Sequence, residues 1–409
     1  MAKNTDELRA DADRFPRPRN SACPFDPPPD YGQWREEHPM TPVVTSQGSL
    51  AWLVTRHQGA RDALGDRGVS SQRWRTGDLE MPRQGGPLDL PPLNRTFVSM
   101  DPPDHSRIRR LLARDFMTKR VDAMRPRIQQ LVDEQLDQMI AQGAPADLVS
   151  QFALPLPSLI TCWMLGVPYS EHDNFQNRTG ILANRATTVE QKQGALSDLL
   201  EMLGEIAELR LRDPQDDIMS RLAEFVRTGE MTVEEVAANS IVLLIAGHES
   251  TASQIALNAL ILLRDPEQMR LLRERPDLID NGVEERLRYA SIAQLGIDRV
   301  ATEDIEVNGR TIRRGEGILV SLPAANRDPE QFPDPDTLDV TRPNARKHVA
   351  FGFGVHQCVG HYLARTELRV ATETLLRRLP DLRLAIPFDE LEFKHDLAFF
   401  GVYELPVAW

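Results

Sequence analysis

The sequence predicts a mainly α protein with small β sheets set at separate places, and three observations carry that expectation. Apolar residues recur at helical spacing over about 105–290, and residues 236–263 are apolar on most faces, as in a buried helix. β-formers concentrate in three distant patches, about 40–57, 299–322 and 382–409. Turn signals punctuate these regions: Gly166-Val167-Pro168 interrupts the helical part, and Asn308-Gly309 lies between strand-like flanks, a two-residue hairpin signature.

The elements follow in order. Residues 14–31 are proline-rich and predict an extended arm lying on the body. Residues 49–55, rich in β-formers, predict a strand. Residues 76–99 mix glycine, proline and leucine and predict an irregular lid. Thr232 with Glu235 three residues on forms a capping box, so a long helix starts there and runs to Arg264, where Asp265-Pro266 ends it. The Asn308-Gly309 hairpin and short C-terminal strands from about Leu382 complete the chain. Residues 1–409 read as a single domain, with no repeat and no low-complexity tract.

The net charge of −13 argues against nucleic acid as a partner. No apolar run approaches the roughly 18–20 residues of a membrane helix, and residues 1–7 carry no apolar signal segment, so the expectation is a cytoplasmic protein without a membrane anchor. Cys23, Cys162 and Cys358 are odd in number and far apart, which implies no disulfide framework.

The chemistry concentrates in residues 351–360, where Cys358 stands in a glycine-rich loop leading into a helix-like stretch from His361. A thiol among the free N–H groups of a helix start is expected to have a lowered pKa and to bind metal as thiolate. The glycines let backbone approach a large planar group. A nucleophilic cysteine, which would want a base and an orienting partner, stays open, and three metal chemistries fit the chain less well. A zinc site could use Cys358 with His356 and His361, but no second cysteine lies near. Covalent heme attachment needs C-x-x-C-H, which is absent. His248-Glu249 suggests a zinc protease, but the second histidine of H-E-x-x-H is replaced by Ala252.

The run Phe351-Gly352-Phe353-Gly354-Val355-His356-Gln357-Cys358-Val359-Gly360 resembles the heme-binding loop of the cytochrome P450 family, F-G-x-G-x-H/R-x-C-x-G, at every fixed position. The resemblance implies a single prism-shaped fold over nearly the whole length. It implies heme b (iron protoporphyrin IX) with Cys358 as axial thiolate, framed by Phe351, Gly352 and Gly360. Ala246-Gly247-His248-Glu249-Ser250-Thr251 resembles the family's A-G-x-D/E-T motif in the oxygen-side helix. There a kink opens a groove for dioxygen, Ala246 and Gly247 leave room, and Glu249 with Ser250 or Thr251 relays protons. Serine stands where the family usually has threonine, and its hydroxyl could instead bond the Ala246 carbonyl. Glu285 and Arg288 match the family's E-x-x-R pair, with Arg342 a candidate third member. Residues 101–109 resemble D-P-P-x-H-x-x-x-R, which assigns His105 and Arg109 to the heme propionates together with Arg299 and His356; His348 is a further candidate.

The resemblance also places the substrate. Leu88, Leu90, Leu93, Leu243, Ile292, Leu295, Phe399 and Phe400 are the lining candidates, and their character suits a medium-to-large hydrophobic secondary metabolite such as a polyketide, macrolide or terpenoid. No dinucleotide fingerprint or flavin module is present, so electrons are expected from a ferredoxin and its reductase. The basic cluster Arg107, Arg109, Arg110, Arg114, Lys119 and Arg120 is the expected docking surface, on a monomer. The implied activity is hydroxylation or epoxidation with O2. Desaturation, C–C coupling or peroxide-driven oxidation are alternatives within the class, and a non-catalytic heme sensor or carrier is the alternative outside it.

Overall fold

The structure is a computed structural model and describes residues 12–20, 23–38, 40–72, 90–168, 171–184, 187–395 and 397–409. It is mostly helical, with small sheets. Among the helices of the body, those that bear on the cysteine loop and its surroundings are α1 Asp104–Leu112, α2 Thr118–Gln142, α3 Pro155–Leu165, α4 Val189–Arg212, α5 Val233–Arg264, α6 Ile279–Tyr289 and α7 His361–Arg378. Their apolar faces meet in one large core that includes Ile128, Leu156, Leu257 and Val370.

The long helix forms as its sequence dictates. Thr232 Oγ1 accepts from the Glu235 N–H (3.1 Å), and Glu235 Oε2 accepts from the Thr232 N–H (3.0 Å), closing the capping box. α5 then runs 32 residues without interruption to Arg264. Its two halves are buried around a central exposed residue, Ala246. Gly166 ends α3 at φ +78°, and a Cβ there would stand 2.0 Å from Asp217 Oδ2, so only glycine fits.

The strands are β1 Asp13–Phe15, β2 Met40–Thr45, β3 Leu50–Val54, β4 Val69–Ser70, β5 Ala146–Asp147, β6 Ile297–Ala301, β7 Ile305–Val307, β8 Arg310–Ile312, β9 Gly317–Val320, β10 Arg383–Leu384 and β11 Pro406–Ala408. The larger sheet has the order β1-β2-β3-β9-β6-β4; β10-β11-β5 and β7-β8 form the others. β6 pairs antiparallel with β9, Arg299 opposite Ile318, which fixes the arginine used below. Asn308 (φ 50°) and Gly309 (φ 71°) make the hairpin turn joining β7 and β8. The N-terminal arm departs from the expectation of a wholly extended segment. Residues 13–15 pair parallel with β2, and a helix begins at Pro29, because proline's fixed φ suits a first helical turn.

Candidate functional site

Cys358 lies two residues before the N-cap of α7, Gly360. Its N–H donates to the Phe351 carbonyl (2.9 Å), and the Gln357 N–H donates to the Gly354 carbonyl (3.0 Å), which closes the loop on itself. Gly354 has φ +74°, and a Cβ there would come within 2.4 Å of the Leu64 carbonyl oxygen. Cys358 is exposed at its own surface yet enclosed at longer range by a dense shell of protein, so it sits in a recess of the molecule. The expected depression of its pKa is reversed. Burial pushes the thiol up, outweighing the Gly360 N–H and the charges of Arg109 and Arg365. Among the described residues no group of three His, Cys, Asp or Glu side chains could hold a metal ion, which leaves the zinc reading without its ligands.

Near the same loop, basic groups gather. His105 on α1 is 1 % exposed, and neither ring nitrogen has a hydrogen-bond partner. Its ring centroid lies 4.1 Å from that of His356. Burial first, then Arg109 and Arg299, push the His105 imidazole down to about 4, so it is neutral at pH 7. Arg109 Nη2 donates to the Gln357 carbonyl (2.5 Å), tying α1 to the cysteine loop. The start of α1 is itself anchored: Asp101 accepts from Ser70 Oγ (2.6 Å) and the Ser71 N–H (2.8 Å). The orphaned ring N–H of His105 beside the arginines fits a ligand that brings acceptors and negative charge. A planar group with two carboxylates, such as heme, has that donor set's complement.

On α5, Ala246 is exposed while its helix neighbours are buried or partly buried. Ser250 Oγ donates back to the Ala246 carbonyl (2.5 Å). Thr251 is buried, 7 % exposed. A Cβ on Gly247 would face Thr161 Oγ1 at 3.1 Å, so that glycine lets α3 approach closely. Glu249 Oε1 accepts from Lys394 Nζ at 2.6 Å, a pairing the sequence reading missed. Lys394 is set there by its N–H bond to the Gly401 carbonyl (2.9 Å) and by Gln294 Nε2, which donates to the Lys394 carbonyl (2.8 Å).

Behind the cysteine loop, Glu285 and Arg288 form a two-bonded pair (both 2.8 Å), wholly buried rather than solvated. Arg342 Nε donates to Glu285 Oε1 (3.0 Å), and so does the Asp339 N–H (3.0 Å). His348 lies apart from the basic cluster: its Nε2 is 3.0 Å from Glu284 Oε2. Glu284 was not singled out from the sequence. Its one legible signal is the Glu284-Glu285 doublet on a buried helix face.

The lining candidates divide. Leu88 lies outside the described residues. Leu90, Ile292, Leu295 and Phe399 are half-buried, and Leu243 is buried. Leu93 and Phe400 are 0 % exposed and have no surface to offer a ligand. Leu93 packs in the main core, and Phe400 turns inward onto Phe393 (5.6 Å) and the Arg19 guanidinium (3.9 Å), because successive side chains of an extended segment point to opposite faces. The basic cluster also divides: Arg107 pairs with Glu235 (3.0 Å) and Arg120 with Asp216 (2.6 Å), while Arg110, Arg114 and Lys119 stay exposed.

A family model described as cytochrome P450 matches residues 187–380. Cytochrome P450-SU2 of Streptomyces griseolus is 48 % identical, covering 98 % of each chain. Cytochrome P450 GfsF of Streptomyces halstedii is 44 % identical over 98 % of this chain and 97 % of its own. The crystal structure of GfsF superposes with a TM-score of 0.91 over 97 % of this chain and all of that one. MycCI of Micromonospora griseorubida, the mycinamicin VIII C21 methyl hydroxylase, solved with mycinamicin VIII bound, is 37 % identical with a TM-score of 0.89 over 97 % of this chain and all of that one.

Proposed function

Because this chain belongs to the cytochrome P450 family of heme-thiolate monooxygenases, we propose that it hydroxylates or epoxidises a medium-to-large hydrophobic secondary metabolite, with Cys358 as the axial thiolate. The observation that carries this reading is a recessed Cys358 whose loop meets His105, with ring nitrogens that lack partners, and Arg109 and Arg299 beside it. Heme, when bound, supplies the reductive activation of dioxygen. The protein's own residues do the rest. His105, Arg109, Arg299 and His356 would hold the two propionates, Phe351, Gly352 and Gly360 would shape the loop against the ring, and Ala246 leaves space beside it. Glu249, Ser250 and Thr251 are the candidates for moving protons from solvent into the groove. Among the described residues no helix is long and apolar enough to cross a membrane.

Substrate class rests on the half-buried apolar residues Leu90, Ile292, Leu295 and Phe399, and on MycCI, whose substrate is mycinamicin VIII. The electron donor in this reading is a small acidic ferredoxin, met by the exposed Arg110, Arg114 and Lys119 near the exposed Met117. Oxygen and NADPH consumption with a ferredoxin and its reductase, run alongside a metabolite screen by optical difference spectra, tests the proposal. Turnover of one screened class supports it; tight binding with no turnover points to a carrier. Peroxide-driven oxidation is a second reading, favoured by one observation: both Ser250 and Glu249 are engaged by other partners. Turnover with hydrogen peroxide alone would select it.

A further inference from the structure

Adjacent glutamates on α6 serve different parts of the molecule. Glu285 holds Arg288, Arg342 and the Asp339 N–H. Glu284, equally buried, turns to the cysteine loop and the helix after it. Arg365 on α7 grips it with two bonds, Nε to Oε1 (2.7 Å) and Nη2 to Oε2 (3.1 Å). His348 meets it at 3.0 Å through Nε2. Because His348 Nδ1 accepts from the Ala350 N–H (3.1 Å), the ring's proton sits on Nε2 and points at the carboxylate. The exposed Arg346 stands farther off, 3.7 Å from Oε1.

These bonds reach Cys358 by two short routes. The Arg365 guanidinium stacks over the Phe351 ring at 4.5 Å, and its Nη1 faces His361 Nδ1 at 2.8 Å. Phe351 in turn accepts the Cys358 N–H. The second route runs from His348 through Ala350 to Phe351 along the backbone. One carboxylate therefore clamps the loop's beginning, through His348, and the helix that follows it, through Arg365. Burying a carboxylate is stabilising only where such partners converge, so the arrangement is specific rather than incidental.

We infer that Glu284 is a positioning residue for the cysteine loop, holding His348 and Arg365 so that the sulfur keeps its place and its electrostatic surroundings. This rests on Cys358 being the axial ligand. Direct partners of a metal's ligands are typically worth about 10–100-fold in metal affinity or activity, and Glu284 acts one contact further out, so the lower end of that range applies.

The test uses the heme-loaded protein and three variants. His348→Leu cuts the tether to the loop but keeps the Glu284–Arg365 pair. His348→Gln restores a donor toward Glu284. Glu284→Gln removes the charge that offsets Arg365. The readouts are the rate at which the thiolate-type ferrous carbonyl converts to the thiol-type form, and the iron reduction potential. His348→Leu should speed conversion about tenfold, with His348→Gln returning toward wild type. Glu284→Gln should raise the potential, since a positive charge is then left unopposed near the sulfur; if it fails to fold, the His348 pair decides alone. Wild-type conversion rates in His348→Leu, with an unchanged potential wherever Glu284→Gln folds, would overturn the inference. A wild-type carbonyl that is not thiolate-type would instead overturn the ligand assignment beneath it.

Discussion

On the cysteine side, Glu284 and Glu285 each collect several donors in a setting closed to water, whereas on the oxygen-side helix one ion pair, Lys394–Glu249, and one back-bonded hydroxyl stand nearly alone. The first arrangement resists movement, because pulling any partner away strands a buried charge. The second rests on fewer bonds. Breaking Lys394–Glu249 gives up a single bond between an ammonium 8 % and a carboxylate 13 % exposed at their side chains, and rotating Ser250 gives up one local bond. A site that must hold a ligand sulfur still while protons and substrate move opposite it is served by that asymmetry.

The asymmetry can be broken from the cysteine side first. Glu285→Ala leaves Arg288 and Arg342 buried without their carboxylate and should destabilise by about 3–5 kcal/mol, read by chemical denaturation. A loss near zero would mean the pair is not a framework.

Acid is the next lever. Burial alone would raise the Glu284 carboxyl, but hydrogen bonds from His348 and Arg365 outweigh it and hold the group at about 2, against an ordinary 4.5. Burial pushes the His348 imidazole down, and Arg365 supplies the permanent positive charge at this carboxylate. A depressed carboxyl stabilises the fold above its unfolded pKa and loses that contribution as pH falls from about 4.5 toward 2. The amount is about 3 kcal/mol at most. Denaturation series between pH 6 and 3 should show a fall that flattens in Glu284→Gln; equal slopes in both proteins would contradict it.

The oxygen side should respond less. A double-mutant cycle of Lys394→Met and Glu249→Gln is expected to show a coupling of about 1–2 kcal/mol, and additive effects would mean the pair does not persist in solution. Smallest of all, Ser250→Ala should change stability by about 0.5 kcal/mol or less while lowering product formed per NADPH. Thr251→Ala, at a buried position, should cost about 1 kcal/mol and leave that ratio unchanged. The reverse pattern would move the relay from Ser250 to Thr251.

Local chemistry was legible in the sequence and long-range pairing was not. The Thr232–Glu235 box, the Asn308-Gly309 turn and the glycine frame of the cysteine loop act over a few residues, and each forms where its pattern lies. Glu284 meets partners 64 and 81 residues away, and Lys394 meets Glu249 across 145, distances at which a single sequence offers no register. The Cys358 thiol shifts opposite to the sequence-based expectation for a related reason. Helix-start donors are local and visible, but burial depends on what the whole fold packs around the sulfur. Phe399 and Phe400 could not be told apart because alternation fixes which neighbours face oppositely, not which one faces in.

The ferrous carbonyl absorption of the purified, heme-replete protein tests the thiolate assignment most directly. The account predicts the long-wavelength band of a thiolate-ligated iron, abolished in Cys358→His. A band of the histidine-ligated globin type in the wild-type protein, or a thiolate-type band surviving in Cys358→His, would contradict it.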